Sequence, residues 1–92
     1  MRVISHPMRD QMSLPVVLNA LSDPVRLSIV DSLRDGHELS CGALPAPVSK
    51  STLSHHLKVL RDAGLVERER RGSWAYYRVI PEPLAALREL LG

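Results

Sequence analysis

The segment from Ser49 to Gly64, SKSTLSHHLKVLRDAG, constrains the fold more than any other part of the chain. Ser49 is a candidate N-cap, because its side-chain oxygen can accept a hydrogen bond from an unpaired first-turn amide. Gly64 tolerates the left-handed conformation in which many helices end. Since helical residues follow one another at about 100°, the segment divides into an apolar arc and a polar arc. The pattern predicts an amphipathic helix with one buried face.

The two arcs of this predicted helix differ in chemistry. The apolar arc consists of Leu53, His56, Leu57 and Leu60, extended by Val59 and Ala63. The polar arc lacks the long charged side chains that usually solvate a helix, because its first two turns present short groups suited to reading base edges. The residues predicted to lie near base edges and phosphates are Lys50, Ser51, Thr52, Ser54 and His55, followed by Lys58.

Two helices are predicted before this segment. They follow an aperiodic stretch at 1–12 that we interpret as a flexible arm, so the folded domain spans 13–92. Ser13 is the candidate N-cap of the first helix, which carries two apolar strips and more apolar surface than one neighbour can cover. This helix is therefore a candidate dimerisation element. Its strips consist of Leu14, Val17, Leu18 and Leu21, and of Val16 and Ala20.

The second helix is predicted to start at Asp23 and Pro24, an N-cap followed by a proline, and to end at Gly36. Arg26 projects from the middle of the apolar arc of this helix. Its stem can lie along the core while the guanidinium leaves it, either to pair with an acid or to meet a phosphate. Of these two roles we favour the structural pairing.

A short extended segment at 38–40 and a short helix at 41–44 are predicted before Ser49. Pro45 and Pro47 close the helix and leave a tight turn. A short helix, a tight turn and a longer polar-faced helix form a helix-turn-helix, which places its second helix in the DNA major groove.

After Gly64 the period of the apolar residues shortens towards two, which predicts strands. The runs 65–71 and 74–80 are separated by Gly72 and Ser73, a pattern typical of a β-hairpin with a glycine turn. A hairpin with arginine at its tip that follows a reading helix is the wing of a winged helix, placed to reach phosphates or a minor groove. The tip arginines, Arg68, Arg70 and Arg71, are predicted with Lys58 to neutralise the DNA backbone.

The chain ends in a short helix that follows Pro81 and Pro83 and is striped by Leu84, Leu87 and Leu91. Such a helix is too short to be stable alone, so it must dock on another element. The predicted fold is mostly α with a small β-hairpin (α+β), a winged helix-turn-helix in the order α-α-(β)-α-α-β-β-α.

The charge of the chain is unevenly distributed. The segment from Lys50 to Arg78 contains seven basic and three acidic residues, a net charge of +4, whereas the whole chain carries +2. A basic region within a near-neutral domain is typical of a polyanion-binding surface. The alternative is a basic surface that is only solvated. The chain of 92 residues is also a small domain of marginal stability, which a dimer interface would stabilise.

Cys41 is the only cysteine, so no intrachain disulfide can form. The N-terminus lacks the basic and apolar regions of a signal peptide, and no stretch approaches the roughly 18 uninterrupted apolar residues of a membrane span. These features predict a cytoplasmic protein with no membrane partner.

Three segments in order resemble the ArsR/SmtB winged-helix repressors. They are ALSDPVRLSIVDSL (20–33), STLSHHLKVLRDAGLV (51–66) and RRGSWAYYRV (70–79), and together they span most of the chain. The resemblance implies a homodimeric transcriptional repressor that binds double-stranded DNA at an operator of two-fold symmetry and dimerises through its first and last helices. The interface residues expected on this chain are Leu14, Val17, Leu18, Leu21, Leu84, Leu87 and Leu91.

The sequence departs from the metal-sensing members of this family. Members that sense arsenic, cadmium or lead carry an ELCVCDL-like motif with two metal-binding cysteines, whereas this chain has ELSCGAL, with Ser40 and Gly42 in their places. Cys41 falls between them, and one thiolate cannot supply the three or four ligands that soft metals prefer. The zinc-sensing members use acidic and histidine ligands on the last helix, which here offers Glu82 and Glu89 and no histidine. We therefore predict no metal and no cofactor, and the inducing signal stays open.

Three individual residues allow two interpretations each. His56 lies on the apolar arc, so we interpret it as a core residue rather than a ligand. His55 is either a donor to a base or phosphate or a solvent-facing residue. Cys41 is either a small buried hydrophobe or a modifiable thiol, and the latter needs exposure and a lowered pKa. An atypical metal or redox site that joins Cys41 to His6 or His37 is an alternative that no spacing demands.

An enzyme is not predicted. Ser54 neighbours His55, but no acid is placed to orient the imidazole and no oxyanion motif follows. The competing class is a winged helix used for protein interaction, which would present an acidic or apolar surface instead of basic residues at the wing. The sequence thus predicts a dimeric, sequence-specific DNA-binding repressor.

Overall fold

Four helices and a three-stranded sheet make up the part of the chain that the structure describes. The structure is a computed structural model and describes residues 13–34, 38–40, 43–44 and 48–92. The helices are α1 (Leu14–Leu21), α2 (Pro24–Leu33), α3 (Lys50–Asp62) and α4 (Pro81–Leu91), and the strands are β1 (Leu39–Ser40), β2 (Val66–Arg71) and β3 (Trp74–Val79). The predicted arm at 1–12 lies outside the described residues. Of the predicted short helix only Ala43 and Leu44 are described.

Capping explains where the helices begin. Asp23 Oδ1 accepts from the amides of Val25 at 2.8 Å and Arg26 at 3.2 Å, and these bonds fix the start of α2. The hydrogen bond from the Arg26 amide holds the pKa of Asp23 below its usual value. Ser13 occupies the N-cap position of α1, but contrary to the predicted cap its side chain makes no capping hydrogen bond.

The end of α2 comes earlier than Gly36 implied. The helix ends at Leu33, and Arg34 already has an extended backbone. Gly36 itself lies outside the described residues.

The sheet has the order β1-β3-β2 and is antiparallel. Strands β2 and β3 pair from Val66 opposite Val79 to Arg71 opposite Trp74, so Gly72 and Ser73 form a two-residue hairpin loop. Gly72 has a φ of 62°, which glycine adopts without steric cost. The predicted hairpin and the winged helix-turn-helix fold are confirmed.

Helix α3 packs its predicted apolar arc into the core. Its buried residues are Leu53, His56, Leu57 and Leu60, and Ala63 follows them into the core. The core that receives this arc is built from α1, α2 and the base of the sheet, because the period of each element places one face inside. The fully buried large side chains around it include Val17, Ile29, Leu33, Leu65 and Val66.

The N-cap of α3 makes the first testable prediction. Ser49 Oγ accepts from the amide of Thr52 at 3.3 Å, so replacing Ser49 with Ala removes a partner from an otherwise unpaired amide. We expect Ser49→Ala to lower the free energy of unfolding by about 1 kcal/mol, measured by urea denaturation without DNA. Ser54→Ala, in the exposed middle of the same helix, is the control and should change stability by less than about 0.5 kcal/mol. Equal losses in the two variants would contradict the capping role.

Candidate DNA-binding surface

The polar arc of α3 faces away from the core. Each of the six residues predicted on it, Lys50, Ser51, Thr52, Ser54, His55 and Lys58, is exposed. The Lys58 ammonium lies 2.9 Å from the Asp62 carboxylate, one turn further along the helix. Because both side chains are largely exposed, this ion pair is weak and Lys58 can exchange it for a phosphate. The helix therefore presents short polar groups near its N-terminus and a basic residue beyond them.

The hairpin has two faces with different environments. Residues directly opposite each other on antiparallel strands share a face, so Arg68 shares a face with Tyr77, and Arg70 with Ala75. At its base this inner face packs into the core against α3 through buried Val66 and Tyr77. Beyond the core the same face continues as Arg68 and Arg70, which are exposed. These two arginines therefore lie on the side of the sheet that contacts the reading helix.

The outer face of the hairpin carries an ion-pair network. Glu38 Oε2 accepts from Arg71 Nη2 and from Arg78 Nη1, each at 2.7 Å. Glu69 Oε1 accepts from the same two groups at 2.9 and 3.0 Å, and Glu67 Oε2 accepts from Arg78 Nε at 2.8 Å. The Arg71 guanidinium also lies 4.8 Å from the ring centre of Tyr76. The network thus joins Glu38, the residue before β1, to both strands of the hairpin.

The network distinguishes Arg71 from Arg68 and Arg70, although the sequence predicted that all three contact the DNA backbone. Arg71 lies on the outer face and is engaged by two carboxylates, whereas within the described residues Arg68 and Arg70 make no ion pair. No local signal could have identified Glu38, because Arg71 and Arg78 lie 33 and 40 residues away from it. The free positive charge of the wing is therefore smaller than the sequence count suggests.

The network also makes folding sensitive to acid. The hydrogen bond from Arg71 is the main cause that holds the pKa of Glu38, and that of Glu69, below the ordinary value of 4.5. The same pairing raises the pKa of Arg71 and of Arg78 above the ordinary arginine value. Since the carboxyl pKa values are lower in the folded state, the unfolded state binds more protons at acidic pH.

We expect the free energy of unfolding to be highest above the ordinary carboxyl pKa of 4.5 and to fall as the pH drops through the lower folded values. Replacing Glu38 with Gln should make this dependence shallower, with a decrease of less than about one proton in the proton uptake on unfolding. Urea denaturation at several pH values between about 3 and 7 measures this pH dependence. Glu89→Gln on α4 is the control, and an unchanged acid slope in Glu38→Gln would contradict the role of the network.

Among the described residues, the Arg26 guanidinium contacts a backbone carbonyl and a histidine instead of the acid that we favoured from sequence. Its Nε donates to the carbonyl of Ala20 at 2.7 Å, and its Nη1 lies 3.1 Å from Nδ1 of His56. His56 is 8% exposed and belongs to the core side of α3. The predicted core role of His56 is confirmed. The acid partner predicted for Arg26 is not found among the described residues, where the guanidinium meets the end of α1 and His56 of α3.

The residues expected at a dimer interface fall into two groups. Val17 is fully buried inside the protomer, and Leu21 and Leu84 pack against the same core, so these three stabilise the protomer itself. Leu18 and Leu91 are 47% and 76% exposed and have apolar surface left for a partner. Exposed neighbours that the expected set omitted are Val16 on α1 and Leu90 on α4, while Leu14 and Leu87 are half-buried.

Metal-ligating residues are not grouped in the described part of the chain. Within it, no three His, Cys, Asp or Glu side chains are arranged to hold a metal ion. Ser40, at the position of a family cysteine, lies in β1 opposite Tyr76. Cys41, His6 and His37 lie outside the described residues, so the atypical site stays a prediction. Among the helices described, none has the length and hydropathy to cross a membrane.

Comparison with known proteins identifies relatives of this arrangement. A helix-turn-helix domain family model matches residues 21–69. The arsenic resistance transcriptional regulator ArsR1 of Pseudomonas putida is 35% identical over 77 residues, which cover 82% of this chain and 60% of that protein. The transcriptional repressor SmtB of Mycobacterium tuberculosis is 42% identical over 73 residues, which cover 75% of this chain and 52% of that protein. The chain thus spans little more than half the length of these two relatives.

A solved structure has the same fold. The ArsR-like transcriptional regulator from Rhodococcus sp. RHA1 superimposes with a TM-score of 0.73 and 32% identity, over 85% of this chain and 74% of that chain.

Proposed function

Because this chain belongs to the ArsR/SmtB family of helix-turn-helix transcriptional regulators, we propose that it is a repressor that binds an inverted-repeat operator as a homodimer. That it is a DNA-binding regulator follows from the family. The homodimer, the operator symmetry and the roles of individual residues are the proposal. The observation that carries it is the exposed polar arc of α3, together with exposed Arg68 and Arg70 on the hairpin face that packs into the core at its base.

The reading helix supplies base contacts in this proposal. Ser51, Ser54 and His55 present donors and acceptors short enough for the helix to lie deep in the major groove. Lys58, Arg68 and Arg70 contact phosphates on either side, and these contacts position the protein without reading sequence. The division between reading and positioning predicts different effects for the two groups of variants.

The dimer sets the spacing of the operator. Two reading helices related by a two-fold axis contact half-sites about 34 Å apart, which is one turn of B-DNA. Support for the dimer comes from the apolar surface that Leu18 and Leu91 leave exposed on the first and last helices. We expect selection from random duplexes to yield an inverted repeat with this spacing. Protection of a single non-palindromic site by a monomer would refute the geometry.

Ser54→Ala tests the reading role. Because the proposed homodimer loses one neutral hydrogen bond to a base at each half-site, binding to the selected operator is expected to weaken by about 5- to 160-fold, with no change in the salt dependence. Fluorescence anisotropy with the operator and with a duplex altered at one base pair measures both affinities. Ser32→Ala, the same change on α2 and outside the proposed DNA-binding surface, is the control. An equal loss on both duplexes would show that Ser54 reads no base.

The proposed repressor is released by something other than the familiar metal sites. Ser40 and Gly42 replace the family cysteines, and the last helix offers no histidine. We expect zinc or arsenite, added at one equivalent to the protein–operator complex, to leave it intact. Metal-induced release at that ratio would instead support an atypical site that includes Cys41. The signal itself is not assigned.

A protein-interaction module is the alternative class. The exposed arginines on the inner face of the wing and the polar arc of α3 favour a polyanion over an acidic or apolar partner surface. Failure of the selection to enrich any duplex sequence would favour the alternative.

A further inference from the structure

Arg26 connects three helices through one guanidinium group. It belongs to α2, its Nε donates to the carbonyl of Ala20 at 2.7 Å, and its Nη2 lies 3.5 Å from the carbonyl of Asn19. Both carbonyls are in the last turn of α1, and that of Asn19 also accepts from the amide of Ser22 at 3.2 Å and from its hydroxyl at 2.6 Å. The remaining contact, from Nη1 to His56 Nδ1 at 3.1 Å, reaches α3 from a distance of 30 residues in sequence.

The contact with His56 has a defined chemistry. An arginine side chain carries only donors, so the Nδ1 of His56 must accept. The imidazole is then neutral, with its proton on Nε2. His56 is 8% exposed and lies among the leucines of the buried arc, so the packing of α3 against the core restricts the position of its ring. The planar guanidinium therefore fixes the rotational orientation of α3 about its own axis relative to α1.

The rotation of α3 decides which side chains face DNA. His56 adjoins His55, and Ser54 lies two residues before it, so the ring that Arg26 holds is on the opposite side of the same turn from the reading residues. We propose that Arg26 is a positioning residue that couples α1 to the reading helix through His56. The inference rests on the proposed function, because it assigns to α1 a place at the dimer interface and to α3 the contact with the operator.

Operator binding by two arginine variants tests the coupling. Arg26→Met removes the donors and keeps the apolar stem, and Arg34→Met removes the same charge from the exposed end of α2. We expect Arg26→Met to weaken operator binding about tenfold more than Arg34→Met, within the range of about 2- to 30-fold for such coupling. Binding to an unrelated duplex should be equal in the two variants, because that binding does not depend on the rotation of α3.

The salt dependence separates positioning from a direct phosphate contact. A positioning residue leaves the slope of log affinity against log salt unchanged, whereas each lost phosphate contact lowers its magnitude by about 0.9. A lowered slope in Arg26→Met would overturn the proposal. His56→Leu should lose as much affinity as Arg26→Met, the double variant should lose no more than either, and His56→Asn, which keeps an acceptor near the position of Nδ1, should recover part of it.

A measurement on the wild-type protein covers the case in which Arg26→Met does not fold. Two-bond ¹⁵N–¹H correlation spectra at neutral pH should show His56 with its proton on Nε2 and a bare Nδ1, and a proton on Nδ1 would overturn the proposal. Different results would refute the proposed function and the proposed coupling. Wild-type protein that binds no inverted repeat sinks the proposed function, whereas equal affinities of Arg26→Met and Arg34→Met for an operator that the wild type binds sink the coupling alone.

Discussion

Replacing Leu18 with Lys is expected to dissociate the proposed dimer and to weaken operator binding by at least about 100-fold. Leu18 is 47% exposed on α1, where an isologous interface would bury it. Two-fold symmetry brings the substitution into the interface twice, and each unpaired ammonium that is removed from water costs several kcal/mol. A monomer also loses the gain from binding two linked half-sites, which is worth about 10² to 10⁴ in affinity.

Sedimentation equilibrium and fluorescence anisotropy on the same samples measure the two effects of Leu18→Lys. Leu27→Lys is the matched control, because Leu27 is 53% exposed and lies on α2, away from the proposed interface. It adds the same positive charge to the protomer, so any general electrostatic gain in DNA binding appears in both variants. A Leu18→Lys protein that stays dimeric at the wild-type dissociation constant would place the interface elsewhere.

The second large effect is expected from the inner face of the wing. The double variant Arg68→Ala/Arg70→Ala removes four phosphate contacts from a dimer, so the magnitude of the salt slope should fall by about 3 to 4. At about 0.1 M salt this corresponds to a loss of roughly 10³ to 10⁴ in affinity, with binding at about 1 M salt as the reference. Binding to operator and to unrelated duplexes should weaken alike, because phosphate contacts carry no sequence information.

Arg71 provides the matched comparison for this experiment. Arg70→Ala and Arg71→Ala remove the same charge from neighbouring positions, but Arg71 lies on the outer face and pairs with Glu38 and Glu69. We expect Arg70→Ala to lower the slope by about 1.8 for the dimer and Arg71→Ala to lower it by much less. Salt titrations of anisotropy give both slopes. A larger change for Arg71→Ala would mean that DNA displaces the carboxylates and that the outer face takes part in binding.

Local patterns accounted for most of the fold. The arc of Leu53, His56, Leu57 and Leu60 was predicted from spacing alone and is the buried arc of α3, because side chains three and four residues apart share a helix face whatever the helix packs against. The hairpin was predicted for a similar reason. A glycine at the turn and a period of two specify pairing between neighbouring runs, as the positive φ of Gly72 shows.

Spacing predicted the apolar strip of α1, but not which of its members the protomer buries. Val17 and Leu18 are adjacent members of the same predicted set, yet Val17 is fully buried and Leu18 is half exposed. Periodicity identifies an apolar side of α1, but the position of α2 and the rest of the core decides which part of that side the protomer covers. The residues left for a partner therefore had to be taken from the packed structure.

The sequence by itself determined most of the helices and strands that the structure describes, the buried and polar sides of α3 and the family to which the chain belongs. Only the tertiary structure decided which charged side chains are free. It brought Glu38 to Arg71 and Arg78, left Arg68 and Arg70 without a carboxylate among the described residues, and joined Arg26 to His56. The physical reason is the distance along the sequence over which each interaction acts. Helical and strand periods act over a few residues, whereas hydrogen bonds between side chains 30 to 40 residues apart depend on how the finished elements pack.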